Sequence, residues 1–257
     1  RGHCVYATAR REESVAELTE TLRTYGDSAI VRRLDVTQPD TSAKVVAEIL
    51  KTHGRIDALV NNAAFGRIAA IEELTTDELR AQYEVNVFGT HDLTRRVIDP
   101  MRQADSGRII NVTSVVAHVS TPLMGAYNSS KAAVNALTES LRMELTPTGI
   151  HVVLIEPGVI KTEFRANAMR AWGDVDVFRE SRYGSIYEAW LRKWERRLKG
   201  RLTPPSAVAR RIVHAVESPR PKPRYRITFA ARVAPYVVAL LPDGWTDRLI
   251  LRSFGLK

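Results

Sequence analysis

Asn111-Val112-Thr113-Ser114 and Tyr127-Asn128-Ser129-Ser130-Lys131 are the two segments around which this chain is arranged, the tyrosine following the serine by thirteen residues. The first segment continues an apolar, β-branched run from Ile109, which is typical of a buried strand that ends near Ser114. A helical pattern begins at Ala126, and Tyr127 and Lys131 are four residues apart on it, so they lie on the same side. A hydroxyl, a phenol and an ammonium are therefore expected to meet at the carboxyl edge of a sheet.

This set of groups suits hydride transfer to or from a carbonyl carbon. A ketone that accepts a hydride also needs a proton on its oxygen, which a tyrosine can supply if the pKa of its hydroxyl is lowered. The ammonium of Lys131 is expected to lower the pKa of Tyr127 by favouring the phenolate, and Ser114 to hold the carbonyl oxygen. Tyr-x-x-x-Lys is a weak signal by itself, because both residue types are common on helices.

Other motifs at matching intervals strengthen the signal: Asn61-Asn62-Ala63, Asn86 and Pro157-Gly158. Together with the first two segments they resemble the motif set of the short-chain dehydrogenase/reductase family, over nearly the whole chain. The resemblance implies an α/β fold, a Rossmann-type doubly wound parallel sheet with helices on both faces, in a single domain. It also implies a catalytic tetrad of Asn86, Ser114, Tyr127 and Lys131. In that tetrad the backbone of Asn86 holds a water that links the lysine to solvent.

The first part of the chain alternates apolar strand patterns with helical ones. Strands are predicted at residues 5–9, 29–34 and 56–60, with helices at about 15–22 and 42–53 between them, and a long helix at 78–101 follows. This alternation favours parallel βαβ units. Ligands of a doubly wound sheet bind at the carboxyl ends of its strands, so the polar residues at those ends become candidate site residues.

Arg10 and Arg11 follow the first strand, and no acidic residue precedes them. An arginine at this place binds the 2′-phosphate of NADP, whereas a carboxylate binds the free ribose hydroxyl of NAD. NADP is therefore expected, and NAD is the less favoured cofactor. The resemblance implies further cofactor contacts, with Asp35 at the adenine ring and Val159 near the carboxamide. The full implied set is Arg10, Arg11, Asp35, Val36, Asn61, Ala63, Tyr127, Lys131, Pro157, Gly158, Val159 and Thr162.

Two features depart from the family pattern. The glycine-rich turn that cradles the pyrophosphate at a helix N-terminus is not found before Arg10. Gly2-His3 instead resembles the end of the helix after that turn, so roughly 20–25 residues, the rest of one βαβ unit, are expected to be missing. The Asn-Asn-Ala-Gly motif has Ala64 in its last position, with Gly66 two residues later.

Residues 163–203 interrupt the alternation and are rich in aromatic side chains, namely Phe164, Trp172, Phe178, Tyr183, Tyr187, Trp190 and Trp194. In the family this insertion is a helical lid, and its aromatic content favours an apolar substrate. The lid and tail resemble those of family members that act on steroids, retinoids or long-chain aldehydes and ketones, so a substrate of that type is what the resemblance implies. One helical stripe (Ile186, Trp190, Leu191, Trp194, Leu198) opposes a basic face (Arg192, Lys193, Arg196, Arg197, Lys199). The stripe packs against the body of the protein or lies on a membrane surface.

After the lid, residues 225–229 alternate like a final strand. Apolar helices are then predicted at 233–241 and 245–254, within a C-terminal helical tail at 230–257. The tail could extend the pocket, join two copies or contact a membrane, and the sequence leaves these three open.

Composition narrows the class of protein. A length of 257 residues suits one α/β domain, and the net charge is +9. Residues 161–226 carry 17 basic and seven acidic side chains, which could attract phosphate, acidic lipid or nucleic acid, although a solvated surface is favoured over nucleic-acid binding. The single cysteine, Cys4, excludes an internal disulfide or a multi-cysteine metal site. We expect a buried, inert thiol at Cys4 and no metal in the protein.

The sequence thus predicts an NADP-dependent oxidoreductase that interconverts a hydroxyl and a carbonyl on an apolar substrate. The alternative is a non-catalytic NADP-binding or membrane-surface scaffold protein. Helices 78–101 and 127–145 resemble the pair that forms the family's four-helix dimer interface, so a homodimer or homotetramer is expected. No nucleic-acid partner is expected. A cytoplasmic location is predicted, with peripheral membrane contact through residues 185–199 or the C-terminal tail as a further expectation.

Overall fold

A computed structural model describes residues 2–164, 167–169, 180–200 and 202–256, with only the backbone described at 198 and 199. The strands are β1 Val5–Ala9, β2 Ala29–Arg33, β3 Ala58–Asn61, β4 Gly107–Val112, β5 Ile150–Glu156 and β6 Arg224–Arg226. The helices are α1 Glu12–Leu22, α2 Pro39–His53, α3 Thr76–Tyr83, α4 Thr90–Gln103, α5 Gly125–Glu144, α6 Gly184–Lys199, α7 Pro205–Glu217, α8 Phe229–Leu240 and α9 Asp243–Phe254. Shorter 3₁₀ segments lie at Arg23–Ser28 and Val115–Ala117.

The strands form two parallel sheets. β1 pairs with β2, and the order of the second sheet is β3-β4-β5-β6. Helix α2, which follows β2, packs against α4, which covers the second sheet, so the two sheets belong to one body. The Rossmann-like α/β fold predicted from the alternation is confirmed. The expectation that a strand of this sheet is missing from the chain stays a prediction.

Neighbouring residues of β4 show why helices cover both faces of the sheet. Ile109 packs with Val97 and Met101 of α4 on one face. Ile110 points to the other face and packs with Ala215 of α7 and Tyr225 of β6. Successive side chains of a strand point to opposite faces, so an unbroken apolar run needs a helical layer on each side.

The predicted helix at 78–101 is one helical run with a change of pitch in its middle. Thr75 caps α3 by accepting a hydrogen bond from the backbone nitrogen of Glu78, and the Glu78 carboxylate accepts one from the backbone nitrogen of Thr75. Residues Glu84–Gly89 then form a π-helix before α4 begins. Asn86 therefore sits in a wide turn, a type of irregularity often found at functional sites.

Two local expectations were wrong. Cys4 is exposed rather than buried, because it precedes β1 at the start of the two-stranded sheet. Phe229 does not extend the last strand, since β6 ends at Arg226 and the Thr228 hydroxyl caps α8 by accepting from the backbone of Ala231.

Helix α6, which lies in the segment predicted to be a lid and is called the lid helix below, is held against the body by its aromatic side. The Tyr187 hydroxyl donates to Glu73 Oε2 at 2.7 Å and accepts from the backbone nitrogen of Ala70 at 2.9 Å. Trp190 is buried in the same apolar cluster as Tyr127, so the apolar stripe of α6 packs on the protein. Lys193, predicted on the opposite basic face, is also buried, with its ammonium over the Phe254 ring. Trp172 and Phe178 lie outside the described residues.

Candidate active site

The carboxyl ends of β4 and β5 position Ser114. The backbone nitrogen of Thr113 donates to Ile155 at 2.8 Å, and that of Val115 donates to Pro157 at 2.9 Å. These two hydrogen bonds, one on each side of Ser114 in the sequence, fix its backbone against the end of β5 and the segment that follows. Its hydroxyl lies 3.4 Å from the backbone nitrogen of Val116, at the start of the short 3₁₀ turn.

Tyr127 and Lys131 lie on the first turns of α5 and face the end of β4. Both side chains are buried, and the hydroxyl of Tyr127 is hydrogen-bonded to the side chain of Ser114. The Lys131 ammonium donates to the backbone oxygen of Val112 at 3.0 Å and lies 5.8 Å from the centre of the Tyr127 ring. The three groups that the sequence places on two different elements are therefore brought together.

Burial governs the protonation of this pair. Burial raises the pKa of Tyr127, and the hydrogen bond from Ser114 offsets only part of that increase. Burial also lowers the pKa of Lys131 to about 8. The expected lowering of the Tyr127 pKa is not found, because loss of hydration on burial raises it instead. At neutral pH Tyr127 is thus a protonated donor, and Lys131 is mostly cationic.

A cavity of about 630 Å³ opens in front of these groups. Ser114, Tyr127 and Lys131 line it, as do three further residues of the predicted cofactor set, Pro157, Gly158 and Thr162. Asn62, Ala64 and Ile160 line it as well, although the sequence analysis selected their neighbours Asn61, Ala63 and Val159. These three residues lie beyond the ends of β3 and β5, so the path of the connecting segments decides which side chains reach the cavity.

Asn86 supports the site from within the π-helix. Its buried side-chain amide accepts from the backbone nitrogen of Phe65 at 3.1 Å and donates to the backbone oxygen of Phe65 at 3.0 Å. It also donates to the hydroxyl of Ser130, the neighbour of Lys131 on α5. These bonds tie the segment after β3 to α5, and the side chain does not line the cavity.

Asn61 turns into the core rather than towards a ligand. Its amide nitrogen donates to Asn111 Oδ1 at 2.8 Å and to Thr94 Oγ1 at 2.9 Å, and Asn111 donates onward to Thr138 at 2.8 Å. Asn61 and Asn111 are direct partners in the register of β3 and β4. This role of Asn111 is not evident from the sequence, because it depends on the pairing of the two strands.

The predicted adenosine-side residues lie at the ends of β1 and β2. Asp35 Oδ1 accepts from the backbone nitrogen and hydroxyl of Thr37, at 3.0 and 2.8 Å, which shapes the turn after β2. Val36 packs on the π-helix so closely that a Cβ at Gly89 would lie 2.6 Å from its backbone oxygen. Across the described part of the chain, the exposed guanidinium groups of Arg10 and Arg11 have no hydrogen-bond or ion-pair partner.

Phe164 brings an aromatic wall to the catalytic side of the cavity. Its ring centre lies 5.1 Å from that of Tyr127, and a Cβ at Gly66 would lie 2.9 Å from the edge of the Phe164 ring. Gly66 is therefore the glycine that this close approach needs, two residues beyond the place where the family motif has one. On the other side, Gly158 lies directly against the side chain of Thr228 at the start of α8.

A fully buried carboxylate, Glu156, lies behind the site at the end of β5. It pairs with Arg224 and with Arg226 Nε, the latter at 3.1 Å, and accepts from Asn135 Nδ2 at 3.0 Å. His118 Nε2 lies 2.8 Å from the same carboxylate. The sequence analysis assigned no role to Glu156, although a carboxylate at the end of an apolar strand signals a buried charge that needs partners.

The fold and these groups define an NAD(P)-dependent oxidoreductase. Residues 1–172 match the family model described as short chain dehydrogenase, and the chain belongs to that family. It is 30% identical over 252 residues to the oxidoreductase YbbO of Escherichia coli K12, covering 97% of this chain and 86% of that protein.

Two further comparisons extend over most of the chain. The NADPH-dependent 3-dehydrocapnine reductase of Ornithobacterium rhinotracheale is 32% identical over 259 residues, covering 98% of this chain and 89% of that protein. A short-chain dehydrogenase/reductase from Burkholderia phymatum, solved in complex with NAD, has a TM-score of 0.76 at 26% identity. That comparison covers 95% of this chain and 85% of the other.

Glu156→Gln is expected to lower the free energy of unfolding by about 3–5 kcal/mol, because it leaves two partly buried guanidinium groups without their shared negative charge. Urea unfolding followed by circular dichroism measures the change. The matched control is Glu139→Gln, since Glu139 also pairs with Arg224 but is 43% exposed. This control should cost less than about 1 kcal/mol. An equal loss of unfolding free energy in the two variants would show that the buried carboxylate contributes no more to stability than the exposed one.

Proposed function

We propose that this protein is an NADP-dependent oxidoreductase that interconverts a hydroxyl and a carbonyl group on an apolar substrate, with Tyr127 as general acid and base. The observation that carries the proposal is the convergence of Ser114, Tyr127 and Lys131 on one cavity at the carboxyl ends of β4 and β5. A scaffold protein has no need for a buried phenol and a buried ammonium beside an open cavity.

The residues present fit a nicotinamide cofactor. The free guanidinium groups of Arg10 and Arg11 suit a 2′-phosphate, and the cavity carries the Lys131 ammonium and the Pro157-Gly158 backbone at its edge. When bound, the nicotinamide supplies or accepts the hydride. The proposed cofactor contacts also include Asp35, Val36, Asn61, Ala63, Val159 and Thr162. Asn61 would then contribute through its backbone, because its side-chain amide is engaged in the core.

The chain's own groups manage the proton. In the direction of reduction, the Tyr127 hydroxyl donates its proton to the carbonyl oxygen while Ser114 donates a hydrogen bond to the same oxygen. The nearby Lys131 ammonium stabilises the phenolate that remains. Asn86, which is bonded to Ser130 beside Lys131, keeps the helix turns in place and offers its backbone to a water that returns the proton.

The cavity wall supports an apolar substrate. Phe65, Ile160 and Phe164 line the cavity, and Phe164 stacks beside Tyr127. The other described aromatic residues of the lid, including Tyr187 and Trp190, pack in the core instead, so they do not determine substrate specificity by direct contact. We propose a ketone or aldehyde of steroid, retinoid or long-chain type. A relative named as a 3-dehydrocapnine reductase supports a ketone.

Tyr127→Phe should reduce turnover by about 10²–10⁴-fold, because the variant keeps the ring but loses the proton donor. Oxidation of NADPH by 2-decanone and decanal, chosen as apolar probes, measures the rate, and a fluorescence titration should show nearly unchanged NADPH affinity. Tyr25→Phe is the matched control, since that exposed tyrosine lies outside the cavity. Turnover that survives in Tyr127→Phe would contradict the mechanism. NADPH binding by the parent protein without turnover of either probe would favour the scaffold alternative.

Cofactor preference is set, in this proposal, by the two arginines after β1. Arg10→Gln combined with Arg11→Gln should weaken NADPH binding by about 10–100-fold through lost charge-assisted hydrogen bonds, while NADH binding changes little. Fluorescence titration with both cofactors measures this, with Arg23→Gln, an exposed arginine after α1, as the control. Because one relative was solved with NAD, equal binding of NADH and NADPH by the parent protein is the result that would overturn the NADP preference.

We also propose that α4 and α5 join two copies of the chain, as a homodimer or as half of a homotetramer. Leu137 of α5 is 46% exposed, and it lines a cavity of about 210 Å³ between the two helices. Leu137→Glu should convert the assembly to monomers by burying a charge at the contact. Sedimentation velocity measures the mass, with Tyr25→Glu as the control. A parent protein that is already monomeric would contradict the proposal.

A further inference from the structure

The outer side of α8 is an exposed apolar stripe. Phe229, Val233, Tyr236 and Leu240 follow one another at intervals of four, three and four residues, which places them on one side of the helix. Phe229 and Leu240 are each 81% exposed. Single exposed apolar residues are ordinary, but a contiguous stripe on one helix marks an interaction surface.

Helix α9 repeats the pattern with arginines beside it. Trp245 is 64% exposed and Leu249 follows one turn later on the same side. Arg248 and Arg252 fall on that side too, within about 60° of Trp245 at 100° per residue. Asp243 and Asp247 are each two residues from Trp245, about 160° around the helix, so both acids lie on the far side.

The inner sides of the two helices are already packed on the protein. Ala231 of α8 and Phe254 of α9 are buried, and the Lys193 ammonium of the lid helix lies 3.4 Å from the centre of the Phe254 ring. Thr228, at the start of α8, contacts Gly158 at the edge of the cavity. In the outer stripe of α8, the Tyr236 ring also contacts the body, since it lies 5.1 Å from the guanidinium group of Arg226. Phe229 and Leu240, each 81% exposed, are the most open positions of the stripe. None of the described helices is long and apolar enough to cross a bilayer.

We propose that the exposed faces of α8 and α9 dock on the surface of an anionic lipid bilayer. Tryptophan and tyrosine prefer the boundary between headgroups and acyl chains, where aliphatic side chains enter the apolar layer. Arg248 and Arg252 on α9 can reach back to anionic headgroups from the same face as Trp245. This charge pattern disfavours a second copy as the occupant, because a two-fold contact would set arginine faces against each other.

Vesicle flotation tests the proposal with the full chain. Vesicles of phosphatidylcholine with about one third phosphatidylglycerol are compared with phosphatidylcholine alone, at about 0.1 M and about 0.5 M salt. We expect the chain to float with the anionic vesicles at the lower salt concentration. Binding should be several-fold weaker at the higher salt concentration and on neutral vesicles.

Variants then locate the surface. Leu240→Glu combined with Trp245→Glu should reduce binding to anionic vesicles by at least about tenfold, by adding two acids where apolar contact is made. Tyr25→Glu is the control, because Tyr25 is also 64% exposed but lies far from the tail in the chain. Thermal unfolding of each variant checks that the fold is kept, since all three positions are exposed.

Two results would overturn the proposal. One is that the parent chain fails to bind anionic vesicles at the lower salt concentration, or that the tail variant binds them as well as the parent does. The other is that neither protein binds vesicles and the tail variant sediments as a smaller assembly than the parent. That outcome would assign the exposed faces to a contact between copies of this chain.

Discussion

The buried carboxylate of Glu156 is the constraint on which the rest of the site depends. A full charge with no exposed surface is costly unless every part of it is paired, and its four partner side chains come from three places in the chain. Arg224 and Arg226 hold β6 beside β5, Asn135 holds α5, and His118 holds the segment after β4. Because Asn135 is one turn beyond Lys131, and His118 is four residues beyond Ser114, satisfying this one charge positions both halves of the candidate active site.

Burial then decides the chemistry that the site can perform. The same loss of hydration raises the pKa of Tyr127, which keeps its hydroxyl protonated, and lowers the pKa of Lys131 to about 8. An exposed Tyr-x-x-x-Lys pair on another helix would have neither shift. The end of β4, the cavity wall and Phe164 therefore matter to the chemistry of the site as much as the spacing of the two residues.

The lid helix α6 and the tail helices α8 and α9 show how one kind of pattern leads to two outcomes. Each has apolar and aromatic residues at helical spacing together with basic residues. On α6 the aromatic side meets the loop after β3, where Tyr187 bonds to Glu73 and Ala70, and it becomes part of the core. On α8 and α9 the inner sides already fill the available contacts, so Phe229, Leu240 and Trp245 remain outside. Whether such a helix face is buried depends on the elements that pack against it, and the local sequence of the helix does not determine these.

The sequence by itself determined the features that depend on short spacing. Side-chain periods of two residues in strands and 3.6 residues in helices predict three of these features. They are the alternation of strands and helices, the strand end before Ser114, and the shared side of Tyr127 and Lys131. The structure confirms all three. Only the tertiary structure decided which groups are covered. Asn61 turns inward because β3 pairs with β4 in one register. Lys193 is buried because Phe254 of α9 packs over it. Cys4 is exposed because, within the described residues, no packed layer covers the start of β1. Burial is a property of contacts between residues far apart in the chain, and it also sets the pKa values of Tyr127 and Lys131.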